Sequence, residues 1–314
     1  MPELHTPVTL RDVGLRDGLQ SLSRTLPTAD KLHWLQALHA AGVREVEVGS
    51  FVPARLLPQQ ADTAELVAAA CALPGLVVSV LVPNLKGAQA ALASGAHAML
   101  LPLSASHAHS LANLRKTPDE VVADIARIRA ERDAAGSACL LEVGLSTAFG
   151  CTLQGEVPED EVLRLLQAAL DAGADRVGLA DTVGFAHPAQ VQRLFERAFA
   201  AVGERLACAH FHDTRGLGLA NACAAWRAGV RRFDASHGGI GGCPHAPGAS
   251  GNVATEDLAW MFNAMGAPTG LDVDALLALR TPLAGWLQGE PLHGHLWRAG
   301  VPRTRDGRAL KENA

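Results

Sequence analysis

The chain has 314 residues, of which 48% are hydrophobic and 19% are charged, and its formal net charge is −5. That length fits two average domains or a single α/β barrel with extensions, because such barrels take about 250 residues. The acidic balance and the lack of any Lys/Arg block argue against a nucleic-acid partner. No apolar run is long enough to cross a bilayer, so we expect no membrane-spanning helix.

The cysteines and the N-terminal sequence indicate the cellular compartment of the protein. The six cysteines are spread along the chain without a Cys-x-x-Cys pair, and most lie in apolar runs, as small core residues do. The first residues, MPELHTPVTLRD, contain no basic stretch that leads into an apolar one, so we expect no secretory signal. We therefore expect a cytoplasmic protein with reduced thiols.

Short apolar runs alternate with longer amphipathic segments along the chain. The runs predict eight strands, at 8–15, 43–49, 76–82, 96–103, 138–146, 175–181, 206–213 and 231–237. The segments after them predict eight helices, at 28–41, 60–72, 85–94, 118–135, 159–172, 188–202, 217–228 and 254–265. Several helices begin with N-terminal signals, such as Pro118 and the two acids that follow Thr117.

Eight strand–helix units in alternation predict a parallel sheet, because each parallel crossover needs a connecting helix. Eight is also the number of strands that closes a barrel, so we predict an α/β fold of the (β/α)8 TIM-barrel type. An open doubly wound sheet is the alternative, but the first strand continues into GLRDG rather than a phosphate-binding G-x-G-x-x-G. We predict a catalytic barrel over residues 1–267 and a short helical extension with a tail over residues 268–314.

Catalytic side chains in such barrels come from the carboxyl ends of the strands and the loops that follow them. Polar residues at those predicted positions are therefore candidates for the active site. They are Arg16, Asp17, Glu47, Asp181, His210, His212, Asp213, His237, Cys243 and Asn252.

His210 and His212 give the strongest single signal. In a strand, residues i and i+2 project to the same face, so both imidazoles can point into the barrel mouth. Together with an acid such as Asp17 they make a divalent-metal site that leaves room for a substrate. The alternative is a pair of hydrogen-bonded core histidines, which an isolated His-x-His would fit equally well.

Two further segments carry candidate chemistry. Arg16 and Asp17 lie between Gly14 and Gly18, which predicts a close approach of the backbone to a ligand, although a solvated ion pair in a turn is the alternative. The glycine-rich run GGIGGCP contains Cys243 and suits a lid with an acid/base thiol. A plain flexible loop with an incidental cysteine is the alternative there.

Several long motifs, in order along the chain, resemble those of the 3-hydroxy-3-methylglutaryl-CoA lyase family within the DRE-TIM metallolyase group. The motifs run over nearly the whole predicted barrel. They include GLRDGLQ at 14–20, EVGSFV at 47–52, HFHDTRGLGLAN at 210–221 and GGCPHAPGASGNVATEDL at 241–258.

The resemblance implies a metal-dependent lyase that cleaves a carbon–carbon bond of an acyl-CoA-type substrate. By resemblance, Mg²⁺ or Mn²⁺ would be bound by Asp17, His210, His212 and Asn252. Arg16 would neutralise the thioester enolate and Cys243 would protonate it, with Glu47 and Asp181 completing the polar shell. The base would be an aspartate or a histidine, for which His210 is a candidate. We also expect a homo-oligomer, namely a dimer.

The chain departs from the family pattern around the predicted pocket. Ser21, Leu22 and Ser23 stand where the family usually has Asn-Glu-Lys, which removes a lysine expected to contact the CoA phosphates. The predicted metal and enolate residues are intact. A related acyl-CoA lyase, for example one acting on citramalyl-CoA or a longer 3-alkylglutaryl-CoA, a CoA-independent aldolase and an acyl-transferring synthase of the isopropylmalate type therefore remain alternatives.

Overall fold

Eight parallel strands close a barrel in the order of the chain. The computed structural model describes residues 6–242 and 251–303. The strands are β1 (Thr9–Asp12), β2 (Glu45–Ser50), β3 (Val77–Leu81), β4 (Ala98–Ser104), β5 (Leu140–Ser146), β6 (Arg176–Asp181), β7 (Leu206–Phe211) and β8 (Arg232–Ala235). The eighth strand pairs with the first, with Asp12 opposite Ala235, and this pairing confirms the predicted TIM barrel.

Helices follow the strands on the outside of the barrel. They are α1 (Thr28–Ala40), α2 (Thr63–Cys71), α3 (Leu85–Ser94), α4 (His107–Leu114), α5 (Pro118–Ala134), α6 (Glu159–Asp171), α7 (Pro188–Val202), α8 (Gly218–Arg227), α9 (Thr255–Ala264), α10 (Val273–Trp286) and α11 (Leu296–Ala299). In the described ranges, no helix combines the length and apolarity needed to traverse a membrane. The eight predicted helices correspond to α1–α3 and α5–α9.

The first strand is shorter than predicted. It ends at Asp12, and Gly14–Gly18 forms a π-helical turn in which Gly18 N donates to Val13 O (3.2 Å). Helix α4 was not predicted. It begins after Ser106, whose hydroxyl accepts a hydrogen bond from His109 N (3.1 Å), a common N-terminal cap.

The C-terminal helices pack beside the turn His237–Gly239, where the glycine-rich run begins. His237 Nε2 lies 2.9 Å from Leu276 O of α10, and His293 N donates to Gly238 O (2.8 Å). Asp257 accepts hydrogen bonds at the start of α11. The structure thus confirms C-terminal helices on a barrel, whereas the division at residue 267 stays a prediction.

The barrel interior holds a charged pair and a cavity. Arg11 Nη2 of β1 lies 2.9 Å from Glu142 Oε1 of β5, so this ion pair joins strands on opposite sides of the barrel. We call these two residues the barrel-floor pair. They and the loops after the strands line a cavity of about 780 Å³. Gly144 and Gly178 also line this cavity.

Glu142 is expected to make the fold less stable in acid. Burial alone would raise the pKa of this carboxyl, but the guanidinium groups of Arg11, Arg232 and Arg176 lower the pKa to about 2. Because the folded-state pKa lies below the ordinary value of about 4.3, the stabilisation is complete above that ordinary value. It is lost as the pH falls towards about 2.

Thermal unfolding followed by circular dichroism from neutral to acid pH measures this loss. The variant Glu142→Gln should be less stable at neutral pH, because it leaves buried guanidinium groups without their carboxylate. It should also lose less stability than the wild type as the pH falls from about 4.3 to about 2. An equal acid loss in both proteins would contradict the assignment to Glu142.

Candidate metal centre and active site

Three candidate metal ligands meet at the carboxyl ends of β1 and β7. Asp17 lies on the π-helical turn after β1, His210 lies in β7, and His212 follows that strand directly. One ligand atom from each of the three residues lies within 4.8 Å of the other two. Asp17 Oδ2 is 3.6 Å from His212 Nε2. One carboxylate and two imidazoles at this spacing can share a divalent cation.

Asn252 lies against the same cluster because the chain returns there beside the end of β7. His212 and Asn252 form an isolated β-bridge, and Asn252 Nδ2 donates to Asp17 Oδ2 (2.7 Å). The other amide atom, Oδ1, is buried and has no hydrogen-bond partner within residues 6–242 and 251–303. A buried amide oxygen without a donor is costly, and a cation would satisfy it. The donor set therefore fits a bound divalent metal.

Asp234 of β8 orients His210. His210 Nδ1 lies 3.1 Å from Asp234 Oδ2, and Arg11 Nε donates to Asp234 Oδ1 (2.7 Å). Burial alone would lower the pKa of His210, but its contact with the Asp234 carboxylate raises it. A carboxylate bound at Nδ1 leaves Nε2 of the same ring to face a metal ion, which is the usual arrangement of metal-binding histidines.

Asparagine in place of Asp234 is expected to weaken metal binding. Asp234→Asn keeps the shape of the side chain but removes the charge that favours a proton on Nδ1 of His210. Loss of such a partner typically costs about 10- to 100-fold in metal affinity. Calorimetric titration with Mn²⁺ measures this change. Wild-type affinity in Asp234→Asn would show that Asp234 does not position His210.

Arg16 places a permanent cation beside the candidate ligands. Its Nη1 donates to Asp17 Oδ1 (2.6 Å) and its Nε to Glu47 Oε2 (2.7 Å). Burial alone would lower the pKa of Arg16, but the carboxylates of Glu47 and Asp17 raise it. Burial would raise the pKa of Asp17, and the Arg16 guanidinium holds it below its ordinary value instead. Glu47 is fully buried, and burial raises its pKa although Arg16 opposes this effect.

The glycines on either side of Arg16 and Asp17 pack against the protein itself. A Cβ on Gly14 would lie 2.8 Å from Trp34 Cζ2, and one on Gly18 would lie 2.7 Å from Ile240 Cγ1. Close packing against buried side chains of the barrel therefore requires both glycines, and an approach of this backbone to a ligand stays a prediction.

Asp181, at the end of β6, turns its carboxylate to its own loop. Oδ1 accepts a hydrogen bond from Phe185 N (2.9 Å) and Oδ2 accepts one from Ala186 N (3.0 Å). Burial raises the pKa of Asp181. These contacts give the carboxylate a role in the loop after β6, and its part in the polar shell stays a prediction.

Two other polar candidates also serve local structure. Asp213 Oδ1 accepts a hydrogen bond from Gly218 N (2.7 Å) at the start of α8. His237 lies against Leu276, as described above. Neither residue belongs to the group that Asp17 forms with the two histidines.

Cys243 lies outside the described residues, so its role as an acid stays a prediction. Its neighbour Gly242 lines the cavity, and Gly242 O accepts a hydrogen bond from Ser21 Oγ (3.1 Å). A Cβ on Gly241 would lie 2.5 Å from Asn252 Nδ2, so the backbone before Cys243 passes close to a candidate ligand. Gly241 and Gly242, the last described residues before this segment, therefore lie at the edge of the candidate site.

Sequence reasoning missed three charged residues that lie within strands and line the cavity: Arg11, Glu142 and Asp234. All three are buried and lie within strands. Charged residues are almost never fully buried unless they are paired, so a charge inside an apolar strand was the available signal. The pairing itself depends on which strands face each other across the barrel.

The cavity mouth carries basic and apolar side chains. Arg55 follows β2, and Arg115 and Lys116 follow α4, and all three line the cavity. Arg55 and Arg115 are exposed, whereas Lys116 forms an ion pair with Asp124. Leu56, beside Arg55, is 62% exposed. A ligand that enters here meets positive charge and an apolar surface before it reaches the candidate metal ligands.

Comparisons with known proteins agree with this geometry. The HMGL-like family model matches residues 7–282. The hydroxymethylglutaryl-CoA lyase YngG of Bacillus subtilis is 36% identical over 288 residues, which cover 91% of this chain and 94% of that protein. The (R)-citramalyl-CoA lyase of Chloroflexus aurantiacus is 38% identical over 305 residues, covering 93% and 95% of the two chains.

A solved structure is similar over almost the full length. It is that of an HMG-CoA lyase from Acinetobacter baumannii in complex with coenzyme A and 3-methylmalate, with 37% identity and a TM-score of 0.90. The alignment covers 99% of this chain and 100% of that one. The chain therefore belongs to the HMGL-like family and is a carbon–carbon lyase of the HMG-CoA lyase-like type.

Proposed function

We propose that this protein is a divalent-metal-dependent lyase that cleaves a 3-hydroxy-3-methylglutaryl-CoA-like thioester into acetyl-CoA and a keto acid. The observation that carries the proposal is the contact between Arg16 and Asp17. It fixes a permanent cation 2.6 Å from an oxygen of a candidate metal ligand. Retro-Claisen cleavage needs two positive charges. One is a metal ion at the substrate hydroxyl and the other is a cation at the developing enolate.

The candidate metal ligands and Arg16 each have a part in this chemistry. A divalent metal, when bound, would lower the pKa of the tertiary hydroxyl and orient it. A base, which is an aspartate or a histidine, would take the hydroxyl proton as the carbon–carbon bond breaks, and Cys243 would give a proton to the resulting enolate to form acetyl-CoA. Asp17, His210, His212 and Asn252 would hold the metal. Arg16 would stabilise the enolate, because its guanidinium keeps its charge and is held in place by Glu47. Buried surroundings strengthen this interaction because they exclude water.

The ligand types favour a hard or borderline cation. Carboxylate and amide oxygens suit Mg²⁺ and Mn²⁺, whereas imidazoles also bind softer first-row metals. The candidate set contains Asp17 and Asn252 as oxygen donors and two imidazoles. We therefore propose Mg²⁺ or Mn²⁺ as the resident metal.

The cavity mouth supports a CoA thioester as the form of the substrate. Arg55 and Arg115 offer positive charge to phosphate groups, and Leu56 offers an apolar surface to the pantetheine arm. We propose that these two cations take the role of the lysine that the family usually has at position 23. The cavity of about 780 Å³ is large enough for the acyl group and part of the arm.

Citramalyl-CoA is the second candidate substrate. The relative from Chloroflexus aurantiacus named for that activity is 38% identical to this chain over 93% of its length, a similarity comparable with that of the hydroxymethylglutaryl-CoA lyases. Both thioesters carry a tertiary hydroxyl and a free carboxylate. Arg16 and the candidate metal ligands can therefore serve either reaction.

Release of acetyl-CoA from a panel of thioesters tests the proposal. The purified protein would be given 3-hydroxy-3-methylglutaryl-CoA, citramalyl-CoA and a longer 3-alkylglutaryl-CoA, each with Mg²⁺, with Mn²⁺ and with a chelator. We expect metal-dependent cleavage of at least one thioester, and the ranking of kcat/KM identifies the substrate. No cleavage of any thioester with either metal would overturn the proposed function.

A further inference from the structure

The cavity has a charged side and an apolar side. The charged side comes from β7, β8, β1 and the turns after β1 and β7, and it carries Arg11, Arg16, Asp17, His210, His212 and Asp234. On the opposite side, from β3 to β6, the two polar residues of the described lining that lie within strands already have partners: Glu142 contacts arginines, and Ser146 Oγ lies 3.0 Å from Ser104 Oγ. The other lining residues of these strands are apolar or glycine. Five of them form what we call the apolar wall: Leu81, Leu100, Pro102, Gly144 and Ala180.

The apolar wall borders open space inside the barrel. Leu81, Pro102, Gly144 and Ala180 lie within strands, yet each of them is partly exposed. Their exposed surface faces the cavity, because all four residues line it. Layers of side chains normally fill the interior of such a barrel. The interior is therefore incompletely filled on this side, and an apolar group that entered it would bury part of the apolar wall.

The apolar wall begins beside a candidate metal ligand. Ala180 of β6 lies opposite His210 of β7 in the parallel register, and neighbouring strands are about 5 Å apart. Two positions earlier on the same face of β6 is Gly178, which pairs with Gly144 of β5. Gly144 in turn lies opposite Pro102 of β4. A row of mostly small residues thus leads from the candidate metal ligands to the apolar side of the cavity.

The proposed chemistry leaves one substituent of the substrate without a binding site. Divalent cations of the proposed type take oxygen ligands, so the hydroxyl and the free carboxylate of the substrate belong on the charged side. The thioester belongs beside Arg16 and the cavity mouth. The remaining substituent of the carbon that bears the hydroxyl is an alkyl group, which carries no charge and no hydrogen-bonding atom. This group is the part of the substrate that suits the apolar wall.

We propose that the apolar wall binds this alkyl group and that the preferred substrates carry an alkyl chain longer than methyl. The inference rests on the proposed function and deepens it, because it names the substrate class as 3-hydroxy-3-alkylglutaryl-type thioesters with an extended alkyl chain. A methyl group is too small to cover five residues. Each further methylene that the apolar wall buries should strengthen binding by about fourfold.

Gly144 is the position at which this preference can be changed. Its φ lies outside the left-handed region, so other residues can adopt its backbone conformation. A Cβ on Gly144 would lie 3.5 Å from Leu100 Cδ1, which is an ordinary van der Waals contact. At Gly178, in contrast, a Cβ would lie 3.0 Å from the backbone oxygen of Cys208. A larger side chain is therefore accommodated at Gly144, where it would occupy space that the alkyl chain needs.

Thioesters that differ only in the alkyl group test this inference. The wild type, Gly144→Leu and Gly285→Leu would be given the methyl, ethyl and butyl members of the 3-hydroxy-3-alkylglutaryl-CoA series with Mn²⁺. Gly285→Leu is the matched control, because Gly285 is exposed on α10 and does not line the cavity. Gly144→Ala adds only the Cβ described above, so it keeps the test open if Gly144→Leu does not fold.

The measured quantity is the ratio of kcat/KM for the butyl thioester to kcat/KM for the methyl thioester. We expect this ratio to exceed about ten in the wild type and in Gly285→Leu, because methylenes in a hydrophobic pocket discriminate to this extent. It should fall at least about tenfold in Gly144→Leu and less in Gly144→Ala. A wild-type ratio near or below one overturns the inference. An unchanged ratio in Gly144→Leu also overturns it, because a purely structural disturbance lowers both rates together.

Equilibrium binding decides the case if the wild type cleaves no thioester. Calorimetry would then compare 3-hydroxy-3-methylglutaric acid with 3-butyl-3-hydroxyglutaric acid on the Mn²⁺-loaded wild type and on Gly144→Leu. Tighter binding of the butyl acid that Gly144→Leu loses supports the alkyl site even though the proposed lyase activity has failed. Equal affinity for the two acids, or no binding of either acid by the wild type, overturns it.

Discussion

Methionine in place of Arg16 is expected to lower kcat by about 100- to 1000-fold, the range seen when a donor to a developing anion is removed. Arg16 contacts both Glu47 and Asp17 through charge-assisted hydrogen bonds, so its guanidinium is held where the enolate forms. The activation barrier of cleavage rises because, among the described residues, no other cation contacts the carboxylates of both Glu47 and Asp17. Steady-state kinetics with saturating Mg²⁺ on the best thioester of the panel measure the loss.

A second substitution separates charge from geometry at the same position. Arg16→Lys keeps a positive charge but donates from a single point, so it is expected to lose less than Arg16→Met. Thermal unfolding of both variants controls for the loss of the buried contact to Glu47. A kcat within a few-fold of the wild type in correctly folded Arg16→Met would remove Arg16 from the mechanism.

Serine in place of Cys243 is expected to lower turnover by about 100- to 10,000-fold, the usual contribution of a positioned acid or base. The thiol is a far stronger acid than a hydroxyl, so serine protonates an enolate poorly. Metal affinity should be unchanged, because Cys243 is not among the proposed ligands. Parallel measurements of acetyl-CoA release and of Mn²⁺ affinity test both halves of the prediction.

A matched cysteine provides the control for this substitution. Cys71→Ser changes a half-buried thiol on α2 that does not line the cavity, so its turnover should stay near the wild-type value. Unchanged turnover in Cys243→Ser would assign the protonation step to another group. A loss of metal affinity in Cys243→Ser would show that the segment 243–250 contributes to the metal site.

The barrel could be predicted because its pattern is local. Each strand is a short apolar run and several helices have their own N-terminal signal, and the alternation of apolar run and amphipathic segment repeats eight times along the chain. The first strand was predicted to extend to residue 15 because Val13 and Leu15 continue its apolar pattern. The hydrogen bond from Gly18 N to Val13 O ends the strand earlier, and its π-helical geometry has no simple sequence signal.

The candidate metal ligands could be predicted only in part from local patterns. His210 and His212 share one face of a strand, which a period of two reveals directly. Asp17 follows from its place after the first strand. The partner of His210 could not be found in this way, because the contact with Asp234 requires the register between β7 and β8. The pairing of Arg11 with Glu142 requires knowledge of which strands lie opposite each other.

Titration with Mn²⁺ tests the central claim most directly, namely that Asp17, His210, His212 and Asn252 share one cation at the barrel mouth. Calorimetry of the wild type, of His212→Ala and of Asp17→Asn would report the number of bound ions, with His187→Ala at the cap of α7 as the control. We predict one bound ion in the wild type and the control, and none in the other two variants. Undiminished binding in both His212→Ala and Asp17→Asn would contradict the claim.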